Sequence, residues 1–187
     1  MKRKKIILLA AVILIVLTAA FAIRYKTLNE KYPKPELKEY SQGETLTLED
    51  MEVTLTDRQV LDAEEFFEIY QIKDETLREY YQYNPTKFLV AEFQLKNIDD
   101  KDNNYSRVFL QDAIEYQAFS NGEDINFFSY VNEDGSWDGD LQPGAEKSVR
   151  LVYPIPKSLL SEKHWENAKK LEYSIVLKTY REKIVIK

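Results

Sequence analysis

From Thr86 to Asn97 the chain reads TKFLVAEFQLKN, with Leu89, Ala91, Phe93 and Leu95 at every second position and Val90, Glu92 and Gln94 between them. Side chains of an extended strand point alternately to its two faces, so a period of two predicts a β-strand with one apolar face. Burial of Leu89, Phe93 and Leu95 contributes roughly 1.5–3 kcal/mol each. No other stretch clearly exceeds this, and the body of the protein is expected to be built around it.

Shorter alternations surround this strand. Thr45 to Leu48 and Met51 to Thr56 carry Leu46, Leu48, Val53 and Leu55 around a turn at Glu49-Asp50. Ser148 to Tyr153, closed by Pro154 and Pro156, Leu171 to Thr179, and Lys183 to Lys187 after a turn at Tyr180 to Glu182 read the same way. Phe109, Ile114 to Phe119 and Ile125 to Val131 are expected to add strands, with a turn at Asn121-Gly122. About seven or eight short strands at such spacing predict a mainly β, antiparallel sandwich.

Helical insertions are expected at three places. Asp62 precedes Glu65 at capping-box spacing, ahead of Phe66, Phe67, Ile69 and Tyr70. Asp74 to Tyr83 places Leu77, Tyr80 and Tyr81 on one side before the Asn84-Pro85 stop. Lys157 to Lys170 spaces Leu159, Leu160, Trp165 and Ala168 nearly helically. The excursion from Asp62 to Tyr83 is long for a connection in a compact domain, which directs attention to it as a functional element.

The N-terminus follows another rule. Lys2, Arg3, Lys4 and Lys5 precede Ile6 to Ile23, 18 residues in which Thr18 is the only polar one. At about 1.5 Å per residue such a helix spans a bilayer core. Four positive charges before it against two after it place the N-terminus in the cytoplasm and the rest outside. The small residues Ala20 and Ala22 allow the rival outcome, secretion after cleavage near Ala22. The expected organisation is a single-pass signal anchor over residues 1–23, a polar stalk with Pro33 and Pro35 over 24–42, and an extracellular domain over 43–187.

Charge and composition narrow the chemistry. Residues 1–26 hold six of the 26 basic residues and none of the 32 acids, so the remainder carries 20 positive against 32 negative charges, a net of −12. A body so acidic repels phosphate backbones, and no nucleic-acid partner is expected. Absence of cysteine removes disulfides, thiolate nucleophiles and lipid attachment, and the lone His164 removes a two-histidine metal site within one chain. No G-x-S-x-G elbow accompanies His164, and no phosphate loop or dinucleotide fingerprint occurs.

Three segments carry a resemblance. TLTLEDMEVTLTD from Thr45 to Asp57, FLVAEFQLKNIDD from Phe88 to Asp100, and LQPGAEKSVRLVYPIP from Leu141 to Pro156 are similar to the Ig-like extracellular domains of unassigned function found in Gram-positive lipoproteins and membrane-anchored proteins. The resemblance covers about Gly43 to Lys187 and implies an Ig-like β-sandwich at the cell surface, with no catalytic residues. The chain departs from the pattern in its helical excursion and in lacking a lipid-acceptor cysteine, whose place a transmembrane anchor would take.

Two surfaces stand out. Asp134, Ser136, Asp138 and Asp140, around Gly139, match the first half of a calcium loop, although Ala145 stands where the closing glutamate belongs. A solvated acidic turn is the ordinary account of the same residues. Tyr80, Tyr81 and Tyr83 offer amphipathic rings for a sugar or peptide, against the ordinary alternative of packing on the sheet. The expected function is a non-enzymatic, membrane-anchored envelope module that binds a protein or cell-wall partner and needs no cofactor. A cell-wall hydrolase using paired carboxylates and a calcium-responsive module are the alternatives.

Overall fold

The computed structural model describes residues 2–179 and 182–187, and for residues 2–10 the backbone alone. The expected turn at Tyr180 and Arg181 lies outside the described residues. Two compact units divide the chain, one ending at Glu36 and the other running from Leu37 to Lys187.

The first unit is dominated by helix α1 (Lys2–Lys31). It is long and apolar enough to cross a membrane, a property it shares with signal sequences. Its polar hydroxyls stay satisfied within the helix, Thr18 donating to the Leu14 carbonyl at 2.8 Å and Thr27 to that of Ile23 at 3.0 Å. The expected semi-extended stalk is corrected here. The helix continues eight residues past Ile23, supported by an i,i+4 pair of Lys26 and Glu30, until Pro33 and Pro35 forbid it.

Strands and helices then alternate irregularly. Strands β1 (Glu36–Tyr40), β2 (Thr45–Leu48) and β3 (Met51–Asp62) lead to helices α2 (Ala63–Ile69) and α3 (Glu75–Tyr83) and the central β4 (Thr86–Asn97). After them come β5 (Asn103–Asn104), β6 (Ala113–Tyr116), β7 (Phe119–Asn121), helix α4 (Phe128–Val131) and β8 (Asp140–Leu141). The chain closes with β9 (Glu146–Pro156), helix α5 (Glu162–Glu166), β10 (Ser174–Lys178) and β11 (Glu182–Ile186). A sheet ordered β2-β3-β4-β9 packs against one ordered β1-β11-β10-β6-β7, and β5 and β8 form a separate ribbon. The fold is a β-sandwich with helical insertions.

Between the sheets, Leu89, Ala91, Phe93 and Leu95 of β4 meet Ile114, Ile175, Leu177, Ile184 and Ile186 in one core. The central strand therefore sits where its alternation placed it. Its other face holds what the alternation hid. Phe88 and Val90 are also buried and join Leu61, Phe66, Phe67, Ile72, Phe127, Val131 and Val152 in a second core beneath α2 and α4. Phe66 stacks on Phe88 with ring centroids 4.4 Å apart and meets Phe127 edge-on at 5.1 Å.

Several expectations about secondary structure are overturned. Phe109 lies in a 3-10 turn (Tyr105–Phe109) opened by the Asn104 side chain, which accepts the Ser106 N–H at 3.0 Å. Ile125 to Val131 is helical because Phe127 and Val131, four apart, bury one face, and the Asp124 carboxylate accepts the Asn126 N–H at 3.1 Å. Asn121 closes β7, and the hairpin turns instead at Gln117, which has φ of 51°. Strand β3 runs on to Asp62 through a bulge after Leu55, which turns Arg58 and Val60 to the inner face opposite Ala91 and Leu89.

Strand β9 continues through Pro154 and Pro156 because it is an edge, where a missing N–H leaves no ladder partner unpaired. Side chains stand in for the absent neighbour. The Asn132 amide donates to the Arg150 carbonyl at 2.8 Å and accepts the Arg150 N–H at 2.8 Å, as an adjoining strand would. Asn121 donates to the Pro154 carbonyl at 2.9 Å. An edge satisfied in this way is a poor template for aggregation.

Phe88 is a fully buried ring in the second core, in contact with Phe66, Phe67, Tyr81 and Phe127, and this gives the first prediction. Phe88→Ala lowers unfolding stability by about 3–5 kcal/mol, whereas Tyr83→Ala, at a side chain 78% exposed, changes it by no more than about 0.5 kcal/mol. Urea unfolding of the two variants followed by tryptophan fluorescence measures the difference.

Candidate functional site

At one end of the sandwich, β3 hands over to α2 and α3 returns to β4. Asp62, the last residue of β3, caps α2 from its own backbone, its N–H donating to the Glu65 carboxylate at 3.3 Å. Its carboxylate bonds Lys87, opposite it on β4, and Lys169 at 2.7 Å, which also reaches Glu65 at 2.6 Å. Partial burial works against the Asp62 charge, but the hydrogen bonds and charges of Lys169 and Lys87 outweigh it and hold its pKa below the usual carboxylate range. The Lys87 ammonium lies 4.8 Å from the ring centre of Trp165, tying α5 to the same corner.

Helix α3 begins where the Asp74 carboxylate accepts the N–H groups of Thr76 and Leu77 at 2.9 and 3.1 Å. The three tyrosines it carries play different parts. Tyr81 is half-buried, edge-on to Phe88 at 5.0 Å, and its hydroxyl donates to Asp124 at 3.2 Å. Burial, then the Asp124 charge, pushes its pKa up. Tyr80 meets Tyr81 at a right angle, and Tyr80 and Tyr83 are 57% and 78% exposed. The packing account applies to Tyr81, while Tyr80 and Tyr83 stay exposed on the surface.

Around them lies a cleft of about 530 Å³ bounded by Phe67, Tyr81, Pro85 and Trp165, with Glu64, Arg78 and Gln82 among its polar groups. A second, of about 430 Å³, is bounded by Tyr80, Tyr83, Pro154, Pro156 and Lys157. Tyr81, Pro85 and Thr86 line both. Volumes of this order match small-ligand sites, which join apolar walls to a few polar groups. Trp165 had been legible only as part of a helix face, because its meeting with α3 depends on the sandwich end.

The acidic loop is organised differently. The Asp134 carboxylate pairs with Lys147, the Asp138 carboxylate accepts from the Asn104 amide, and Asp140 belongs to β8. Ser136 donates its hydroxyl to the Asp138 carbonyl at 2.6 Å, while its own carbonyl accepts from Tyr105. Gly139 has a packing reason: a Cβ there would come within 2.8 Å of the Tyr105 ring. Trp137 anchors the loop edge-on to Phe128 at 5.2 Å. Among the described residues no group of three or more acidic or histidine side chains converges as a metal site. His164 lies edge-on to Tyr116 at 5.4 Å.

One buried acid escaped the sequence reading altogether. Asp112 is 6% exposed, accepts the hydroxyl proton of the fully buried Tyr153 on Oδ2, and has no donor at Oδ1. Burial, then hydrogen bonding and charge from Glu123, pushes its pKa up to about 9, so the carboxyl is protonated at neutral pH. A protonated Asp112 can donate to Glu123, which accounts for the oxygen without a donor. Neither carboxyl lines the two clefts; the acids that line the first are Asp62 and Glu64.

A family model described as "Domain of unknown function (DUF5028)" matches residues 37–183. Among solved structures the chain is similar to an uncharacterized β-sandwich protein from Clostridium difficile 630, at 12% identity and a TM-score of 0.48 over 82% of this chain and 95% of that one. It is also similar to a conserved hypothetical protein from Bacillus anthracis, at 18% identity and a TM-score of 0.43 over 77% and 94% of the two chains. For the yjhA protein from Bacillus subtilis the values are 15% and 0.41 over 79% and 98%. No curated protein matches the chain.

Asp112 generates the second prediction. Its folded pKa lies above its unfolded value near 3.8, so its protonated form favours folding at low pH and that contribution is lost as pH rises toward about 9. Asp112→Asn keeps an acceptor for Tyr153 and a donor for Glu123 but cannot ionise. The variant's stability relative to the parent is expected to rise by up to about 1.4 kcal/mol per pH unit across this window. Thermal melts from pH 5 to about 9 measure it; parallel curves would contradict it.

Proposed function

The chain belongs to the DUF5028 family, a domain of unknown function, and we propose that in this member an Ig-like sandwich is held outside the cell by helix α1 and binds a partner at the envelope. The basic Lys2 to Lys5 ahead of the apolar run support an N-terminus in the cytoplasm, and the continuation of that run through Ile23 without a polar region supports an uncleaved anchor. In this reading residues 6–23 cross the membrane and residues 43–187 face outward, without enzymatic activity or cofactor.

The observation that carries the reading is the pair of exposed rings, Tyr80 and Tyr83, on a helix whose neighbours are fixed by the second core. Large aromatic surface left in water is recovered as binding free energy when a partner covers it, and a rigid support lowers the entropy lost in doing so. Cleavage of the leader near Ala22 would give a secreted form with the same binding face.

Because the chain has no cysteine, single thiols report on it cleanly. The Tyr83→Cys variant is expected to react with a membrane-impermeant maleimide on intact cells. A photo-cross-linker attached there is expected to give a discrete envelope adduct, and one attached to a Thr47→Cys variant none. Labelling only after permeabilisation, or identical adducts from both positions, would contradict the proposal.

A further inference from the structure

The charged groups around the first cleft differ in what they have left to offer a ligand. Asp62 is held by Lys87 and Lys169. Arg78 donates from Nε to the Ile72 carbonyl at 2.9 Å, and its guanidinium lies 5.4 Å from the ring centre of Phe67. Among the charged residues lining the cleft, Glu64 is the one that forms no ion pair or hydrogen bond among the described residues. A carboxylate in the first turn of α2 complements the helix dipole, but Glu65 already stands in that turn.

The rings beside Glu64 favour cations. Lys87 over Trp165 and Arg78 over Phe67 show the chain using these faces for its own positive groups. The excess of acid over base outside the leader adds a long-range field of the same preference. Because Tyr81, Pro85 and Thr86 line both clefts, a ligand long enough to leave the first enters the second, among Tyr80, Tyr83, Pro154 and Pro156.

Resting on the binding role proposed above, we propose that the two clefts seat an extended peptide segment in which a lysine or arginine adjoins apolar residues. The basic head meets Glu64, and its apolar neighbours pack on Tyr81, Pro85 and Trp165. Proline-containing segments suit such a surface, since they are extended before binding and lose little entropy on it. A neutral glycan would leave the Glu64 charge unanswered and bring hydroxyls to largely apolar walls.

The test uses the full chain in nanodiscs with three probes: a fluorescent Pro-Leu-Lys-Pro-Leu peptide, its counterpart with glutamate for lysine, and an N-acetylglucosamine tetramer. Saturable binding of the basic peptide is expected, with a shift of the Trp165 indole NMR signal, and Glu64→Gln should weaken it about threefold or more. The acidic counterpart should bind at least as weakly as the basic peptide binds that variant. Equal binding of the two peptides, an unaffected Glu64→Gln variant, or no movement of Trp165 with any probe would overturn the inference. Movement of Trp165 by the glycan alone would overturn the peptide class while leaving the binding surface standing, and failure of the envelope cross-linking would sink the binding role itself.

Discussion

Phe88 and Leu89 leave strand β4 in opposite directions, and both end in apolar cores. This two-sided burial along the first half of the strand is the constraint on which the arrangement of the domain depends. A sandwich strand with one wet face would leave Phe88, Val90 and Val152 in water, so the chain between β3 and β4 must return over the sheet and cover them. Phe66, Phe67 and Ile72 do so from α2 and the turn after it. The excursion is long because it is a third layer, and its tyrosines are held in place because that layer is anchored to the sheet.

Polar side chains then close what the backbone leaves open. Asn132 supplies β9 with a missing neighbour, and Asn97, fully buried at the end of β4, donates to the carbonyls of Lys101 and Leu141 at 2.7 and 2.8 Å. Each such group is costly to bury unpaired and modestly favourable once paired, so together they fix geometry more than they add stability. Asp112 stands apart, since burial first and then Glu123 push its pKa up and favour its protonated form.

Much of the sandwich was legible because alternation reports burial directly when one face is wet. Where both faces are covered, as at Phe88 to Ala91, alternation vanishes, and nothing in the string separates the two cores. The helix over Phe128 to Val131 was hidden by a run of β-prone aromatic residues whose spacing fits either period, and tertiary burial decided between them. The D-x-S-x-D-G run invites a metal, yet Tyr105, about thirty positions away, explains its glycine. Tyr80 and Tyr83 were legible as a surface, while the cleft was not, because Trp165 reaches it from a distant part of the chain.

The aromatic face is part of the cooperative fold, because the second core ties α2 and the turn after it to the sheet. Native-state hydrogen exchange on the full chain in nanodiscs tests this most directly. The amides of Tyr70 and Ile72, bonded to the Phe66 and Phe67 carbonyls at 3.1 and 2.9 Å, should exchange only through the global unfolding that also releases the β4 amides. Exchange of those two amides through a low-energy local opening, with β4 still protected, would show the third layer to be loosely attached and would contradict the account.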